Sequence, residues 1–455
     1  MKTLELPSDE SKKSGRSRAS KFLIHLCQFL LMAVGVWWAY VPAGCDLSQM
    51  QIPGFLIALS ISWWLVPEIR ARAMRLGLVD KPGEDRRIHK VAVPRLGGVA
   101  IYISVLATIV SLVAIAGRLP QNARGQEGIL AIAVGGTLVF VLGLMDDLES
   151  IRAKYKLFTQ ILAGCAAYAL GVRIKAIPIP QDWNFDFAFI HIQGGVPIDL
   201  GILSLPITVL WLVGVANAVN LIDGMDGLAA GVSAISALTI WAVALGVAKP
   251  FAALMAAVIA GALLGFLRWN FNPARIFLGD SGAYLTGFIL AAVSITGVIK
   301  GAASTVMVPT SLLVLFILAF PLLDTSWAIV RRLAKGVSIF SPDRLHIHHR
   351  LLDTGLDQKK VAYIIYAAST VFGFIAACFV HQEEYFLKLF GSVLLLALFF
   401  AEVLNRHRQR GKTVTKKTEG SDLDNSTSSA SASAGASTSS SASSSPSSSP
   451  SSEDN

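Results

Sequence analysis

From residue 22 to residue 404, long runs of Leu, Ile, Val, Ala and Phe alternate with short segments holding Asp, Asn, Arg, His and Gly. An apolar run of about 17 to 25 residues matches the length a helix needs to cross the hydrocarbon core of a bilayer. On that pattern spans are predicted at 22–41, 53–66, 96–116, 128–145, 157–170, 204–219, 227–246, 251–267, 282–299, 306–328, 361–380 and 386–404. The second and fifth are short and the seventh and eighth nearly abut. The expected fold class is therefore an all-α polytopic membrane protein with 11–12 transmembrane helices.

The segments between the runs add detail. Residues 171–203 alternate apolar and polar positions through Ile174–Ile177 and Phe187–Ile192, which predicts a small hairpin over one mouth of the bundle. The first run follows Lys12, Lys13, Arg16, Arg18 and Lys21 and precedes Ala43-Gly44-Cys45. It is long for a cleaved signal, so an uncleaved anchor helix is the expectation. Residues 421–455 contain 18 Ser in 35 positions, a composition that cannot bury a core. The expected division is a basic N-terminus with an extra helix at 1–52, a membrane domain at 53–405 and a Ser-rich disordered tail at 406–455.

Composition sharpens this picture. Hydrophobic residues make up 53% of the 455 and charged residues 15%, against about 25% charged in soluble domains. Mean hydropathy is +0.59. A net charge of +9 would suggest nucleic acid in a soluble chain, but bases in an apolar chain gather in cytoplasmic loops. With the N-terminus inside, 32 of the 39 Lys and Arg fall on the cytoplasmic side. The other seven are Arg118, Arg124, Arg173, Lys175, Lys249, Lys300 and Lys388. Cys27, Cys45, Cys165 and Cys378 show no metal-ligand spacing, so neither a zinc site nor a disulfide framework is indicated.

Polar residues not explained by solvation collect at the inner ends of the predicted helices. Asp146-Asp147 closes the fourth span, and adjacent carboxylates repel unless a cation or a shared proton intervenes. A divalent metal is one solution, solvation at the interface another. Asn217, Asn220, Asp223 and Asp226 recur every third residue before Gly227, which on a helix places neighbouring members on one broad face, suited to a polar ligand. The EF-hand pattern is absent. Phe277-Leu278-Gly279-Asp280-Ser281-Gly282 precedes the ninth span. The glycines permit close backbone approach and the helix N-terminus favours an anion, with Asp280 as an ordinary N-cap the alternative. Arg344, His346, His348 and His349 lie between spans ten and eleven, and their donors fit a diphosphate better than zinc. Residues 79–98 are basic and turn-rich, which lipid headgroups would explain equally well. Asp324 is a lone carboxylate inside the tenth run, a functional residue by default but without an assigned role.

Taken in order and on one side, Asp146-Asp147, Asn217–Gly227, Phe277–Gly282 and His346-Ile347-His348-His349 resemble the polyprenyl-phosphate N-acetylhexosamine-1-phosphate transferases, over roughly residues 53–400. The resemblance implies transfer of a sugar-1-phosphate from a UDP-N-acetylhexosamine to a polyprenyl phosphate, with release of UMP and a requirement for Mg²⁺ or Mn²⁺. It implies that Asp280 is the principal metal ligand, with Asp147 and Asn220 contributing, and that Asp146 and Asp147 position or deprotonate the lipid phosphate. It further implies that Asn217, Asn220, Asp223, Asp226 and Gly279 shape the nucleotide pocket, with Phe277 packing on the uracil. Lys156 would approach a phosphate, and Arg344, His346, His348 and His349 would hold diphosphate and sugar. The expected site is a cytoplasmic active site in a bacterial inner membrane; the partners are the two substrates and the membrane, with no nucleic acid, and a homodimer is compatible.

Ile347 interrupts the three consecutive histidines of the muramoyl-pentapeptide branch, so the resemblance favours UDP-N-acetylglucosamine and cell-envelope polysaccharide synthesis. Ser150 stands where some relatives carry a third acid. Two rivals remain, a muramoyl-pentapeptide transferase and a secondary transporter. Transporters place buried acids near the bilayer midplane, whereas these spans are nearly free of charge until their inner ends.

Overall fold

The computed structural model describes residues 28–37, 47–79, 93–116, 123–177, 179, 184–187, 190–192, 194, 196–299, 310–336, 346–378 and 380. The chain divides into two units, Met1–Gln382 and Glu383–Asn455. The expected twelfth span, the Ser-rich tail, the basic stretch at 80–90 and Arg344 lie outside the described residues.

The first unit is a helical bundle. A short helix α1 (Gln28–Trp37) is followed by α2 (Gln51–Arg75), α3 (Gly97–Ala116), α4 (Ala123–Leu148), α5 (Ala153–Ala169) and α6 (Ser204–Leu221). Then come α7 (Leu228–Gly246), α8 (Pro250–Asn270), α9 (Gly279–Ser294), α10 (Thr310–Ile317), α11 (Ala319–Ala334), α12 (Ile347–Asp353) and α13 (Gln358–Cys378). Seven of the described helices, α2, α3, α4, α6, α7, α8 and α13, are long and apolar enough to cross a membrane. This is the expected all-α polytopic membrane protein, with strands, among the described residues, confined to one connection. There β1 (Ala176–Ile177) pairs with β4 (Ile198–Asp199), and β2 (Phe185–Phe187) pairs with β3 (Ile190–Ile192), both antiparallel.

Three expectations change in detail. Helix α2 continues past the predicted end of its span to Arg75, because Arg, Ala and Met in its last turns are strong helix formers. The run at 282–299 is α9 followed by a π-helical turn, Ile295–Ile299. The run at 306–328 is two helices that meet at Leu318, with φ −102° and ψ 18°. The cause is Pro321, whose missing N–H cannot bond the carbonyl four residues back. That carbonyl, on Ile317, instead accepts a hydrogen bond from Ser236 Oγ at 3.0 Å.

At the centre stands α9. Every one of its residues is buried except Asp280, as expected of a helix that is apolar all round and enclosed by others. It packs on α4, α6 and α3, while α8 packs between α2 and α7. Small residues permit the close approach: a Cβ on Gly143 of α4 would lie 2.5 Å from the Ser281 backbone. The tight crossing brings the carboxylates that end α4 against the first turn of α9.

Candidate active site at one end of the bundle

Helix α4 ends, α5 begins, α6 ends and α9 begins at the same end of the bundle, and each junction delivers a polar side chain. Lys156, in the first turn of α5, forms ion pairs with Asp146 and, at 3.2 Å, with Asp280. Asn220, in the last turn of α6, donates its Nδ2 to the other Asp280 oxygen at 3.0 Å. Asp146 also accepts the Ile151 N–H at 2.7 Å, which fixes the turn into α5. Two carboxylates from separate helices thus converge on one cation, and Asp280 retains 30% side-chain exposure. Because α9 is otherwise closed on all sides, its single polar outlet faces this cluster.

Asp147 does something different from its neighbour. Its oxygens accept the Asp280 N–H at 2.8 Å, the Ser281 N–H at 3.0 Å and the Ser281 hydroxyl at 2.6 Å. The anion that the N-terminus of α9 was expected to attract is therefore this carboxylate. The contact requires Gly279, which takes φ +73° and whose added Cβ would lie 2.2 Å from the Arg95 carbonyl and 2.6 Å from Asp147. Asp280 is not the N-cap; it lies inside the first turn, with its carboxylate turned to Lys156 and Asn220.

The 217–226 cluster divides in the same way. Only Asn217 and Asn220 lie on α6, which ends at Leu221, and Asp223 and Asp226 fall in the turn beyond it. The expectation of one shared helical face is corrected accordingly. The helix stops because Gly224 and Gly227 follow, the latter at φ +76°. Asn217 donates to Gln160 of α5 at 2.7 Å and to the Val213 carbonyl at 2.8 Å, so it ties α5 to α6. Asp226 is buried and accepts from Asn272 Nδ2 and the Ala274 N–H, each at 2.9 Å. It thereby holds the loop that leads to Phe277. Asp223 is half-buried in this turn. Burial first, then the charges of Asp280, Asp147 and Asp226, push its carboxyl well above the usual carboxylate range.

Phe277 is half-buried on a segment clamped to the chain before α3. Its N–H bonds the Pro94 carbonyl at 2.8 Å and its carbonyl accepts from Gly97 at 3.0 Å. The histidines lie across the Asp223 turn. His348 is 1% exposed, and a Cβ on Gly224 would come within 2.6 Å of its Nε2. Among the described residues neither ring nitrogen of His348 meets a protein hydrogen-bond partner. Burial and the adjacent His349 lower its imidazole to about 4, so it is neutral at physiological pH. The His346 and His348 rings stack at 5.8 Å, and His349 lies 4.3 Å from His348.

Other residues were not singled out from the sequence. Gln160 braces Asn217. Asn270 accepts from the Gly227 N–H at 3.1 Å and donates to the Ile276 carbonyl at 2.9 Å. Tyr366 of α13 donates to the Gly227 carbonyl at 2.6 Å. Asn270 and Asn272 carried a signal, since amides at the end of an apolar helix also mark Asn217 and Asn220. Tyr366 carried none.

These features define a class: a multi-pass membrane protein with acids, amides, a lysine and histidines gathered at one end of its helices. Residues 129–298 match the model of "Glycosyl transferase family 4". The chain is 33% identical over 369 residues to a probable undecaprenyl-phosphate N-acetylglucosaminyl 1-phosphate transferase of Bacillus subtilis, covering 80% of this chain and 95% of the relative. It is 34% identical over 377 residues to a decaprenyl-phosphate N-acetylglucosaminephosphotransferase of Mycobacterium tuberculosis, covering 78% and 89%. A phospho-N-acetylmuramoyl-pentapeptide-transferase of Desulforudis audaxviator is 32% identical over 333 residues, covering 70% and 93%. The chain belongs to glycosyl transferase family 4.

Proposed function

We propose that the protein transfers N-acetylglucosamine-1-phosphate from UDP-N-acetylglucosamine to undecaprenyl or another polyprenyl phosphate, releasing UMP, as the first membrane step of cell-envelope polysaccharide synthesis. The observation that carries this reading is the convergence of Asp146 and Asp280 on one cation beside Asn220, Asp223 and the buried histidines. The names of the first two relatives describe transfer of an N-acetylglucosamine phosphate to undecaprenyl or decaprenyl phosphate, which supports this reading. The placement at one end of the bundle suits a lipid phosphate held at the interface and a nucleotide arriving from water. The Lys and Arg bias supports reading that end as the cytoplasmic face, here of a bacterial inner membrane.

In the reaction an oxygen of the lipid phosphate attacks the sugar-bearing phosphorus of the donor. The bond from that phosphorus to the bridging oxygen breaks, and UMP leaves with the electron pair. Both reactants are anions, so their repulsion must be neutralised before contact. Asp280 and Asp146 fit a divalent cation, because they already share a cation and Mg²⁺ takes one or two carboxylates together with phosphate oxygens and water. Asp280 and Asp146 would hold it, with the Asn220 carbonyl alongside. Once bound, the ion would neutralise and orient the diphosphate. Lys156 would then turn its ammonium to a phosphate oxygen. Asp147 keeps the first turn of α9 in register so that Asp280 stays aimed. Asp223, with its raised affinity for a proton, would hydrogen-bond the nucleotide, and Phe277 would pack on uracil. His346, His348 and His349 would hold the sugar diphosphate.

The test is UMP release by the purified protein with UDP-N-acetylglucosamine, undecaprenyl phosphate and Mg²⁺, with and without EDTA. Activity that EDTA abolishes and Mg²⁺ restores is expected. UDP-muramoyl-pentapeptide as the only productive donor would move the protein to the other branch, and no UMP from any UDP-amino sugar would overturn the proposal. Labelling of a cysteine placed at residue 349 from the extracytoplasmic side would reverse the orientation.

A further inference from the structure

Asp324 stands in α11, inside an apolar run, and is 2% exposed. A carboxylate there is costly to keep ionised. Both of its oxygens are committed to the start of α12, 22 residues later. Oδ2 lies 2.8 Å from His346 Nδ1, and Oδ1 accepts the Ile347 N–H at 2.8 Å. His346 is itself 5% exposed.

The second bond could have been made locally. His346 is the N-cap residue of α12, a position where Ser, Asp or Asn normally satisfies the first N–H groups with its own side chain. His346 makes no such bond. A remote acid does the capping instead, and the ring at the cap position is spared that task. The first bond then decides what the ring can do. An ionised carboxylate only accepts, so the proton between them belongs to Nδ1, and in the uncharged form of the ring this tautomer leaves the lone pair on Nε2. Bonds to the ring and to the next backbone N–H fix His346 at two points. The ring is held in the stack with His348, which itself lies against the Asp223-Gly224 turn.

We propose that Asp324 is a positioning residue for phosphoryl transfer, which sets the tautomer and orientation of His346 so that Nε2 faces the sugar diphosphate. This rests on the function proposed above, and it goes beyond the histidine run by naming the group that aligns it. Asp324 touches no substrate and acts only through His346.

The experiment combines kinetics with ¹⁵N-histidine NMR on the full chain in detergent. In wild type, His346, assigned through His346→Gln, should give the Nδ1–H tautomer; Asp324→Asn should move it toward Nε2–H. UMP release by Asp324→Asn should fall about 10- to 100-fold in kcat, with KM for the UDP-sugar changed less than about threefold. The Asp324→Asn/His346→Gln double variant should be no slower than His346→Gln alone, because both changes remove one function. Multiplicative losses, activity of Asp324→Asn within about twofold of wild type, or an Nε2–H tautomer in wild type would each overturn the proposal. The wild-type spectrum decides even if Asp324→Asn does not fold. Wild-type protein that shows the expected tautomer but releases no UMP would overturn the proposed function and leave the alignment of His346 by Asp324 standing.

Discussion

Two corners of the site use the same device for different ends. At one, Asp147 of α4 accepts the first N–H groups of α9; at the other, Asp324 of α11 accepts the first N–H of α12. In both, an acid on one helix fixes the start of another that carries a residue of the candidate site in its first turn or at its cap, Asp280 in one and His346 in the other. The helices differ. α9 has 16 residues, all buried but one, whereas α12 has seven and buries only His348. On the proposed function, the α9 brace would hold up the core as well as the chemistry, and the α12 brace, which starts far less buried structure, would serve mainly the chemistry. A carboxylate's contribution to stability depends less on its own hydrogen bonds than on how much packed structure follows the helix it starts.

That contrast can be broken by experiment. The largest effect is expected at Asp280: Asp280→Asn should lower UMP release about 100- to 1,000-fold, the scale for losing a main electrostatic contact in a transition state. Its apparent melting temperature should stay near wild type, because Asp280 is the one residue of α9 outside the packing. A large drop in melting temperature would refute that division of labour. Next, Asp147→Asn turns an amide N–H toward backbone donors and should cost about 2–3 kcal/mol of stability along with activity. Asp146→Asn should lose activity at nearly constant stability, and the reverse ranking in thermal unfolding would show that the neighbours had been assigned each other's roles.

A smaller cost, about 1–3 kcal/mol, is expected for Gly279→Ala, which places a Cβ at positive φ against the Arg95 carbonyl. The smallest effect concerns pH. His348 has its pKa lowered from 6.5 to about 4 by burial, so the unfolded chain binds the extra proton first. Its contribution is fully present above pH 6.5 and is lost as pH falls toward 4. Between pH 8 and 5.5 this amounts to about 1 kcal/mol. His348→Gln should flatten that part of the melting profile, and an unchanged slope would exclude His348 as its source.

Much of this site could be read from the chain because apolar runs have a fixed length and their polar ends stand out. Asp146, Asn220, Asp280 and His346 were all visible as helix-end residues. Which neighbour does what was not visible. Asp146 and Asp147 look equivalent in sequence, and they separate only when α9, some 130 residues later, presents its N-terminus to one of them. Asp223 and Asp226 looked like members of one helical face because a three-residue spacing fits a helix, but Gly224 and Gly227 end it. Asp324 was conspicuous as an acid in an apolar run, yet its partner lies in a loop whose packing no periodicity reports. The break at Leu318 was legible in retrospect from Pro321.

The Gly227 turn carries a consequence for how the protein is made. Its N–H is held by Asn270 and its carbonyl by Tyr366, so the turn that presents Asp223 is completed by residues that leave the ribosome roughly 40 and 140 positions later. Domains generally form as their segments emerge, from the N-terminus onward. Here α2 to α6 can be in place while the turn after them still lacks its last two fastenings. A chain arrested before α13 would hold Asp146, Asp147 and Asp280 in the bilayer with the Gly227 turn fastened by Asn270 but not by Tyr366. Interrupted synthesis would therefore leave an incomplete bundle rather than a working transferase.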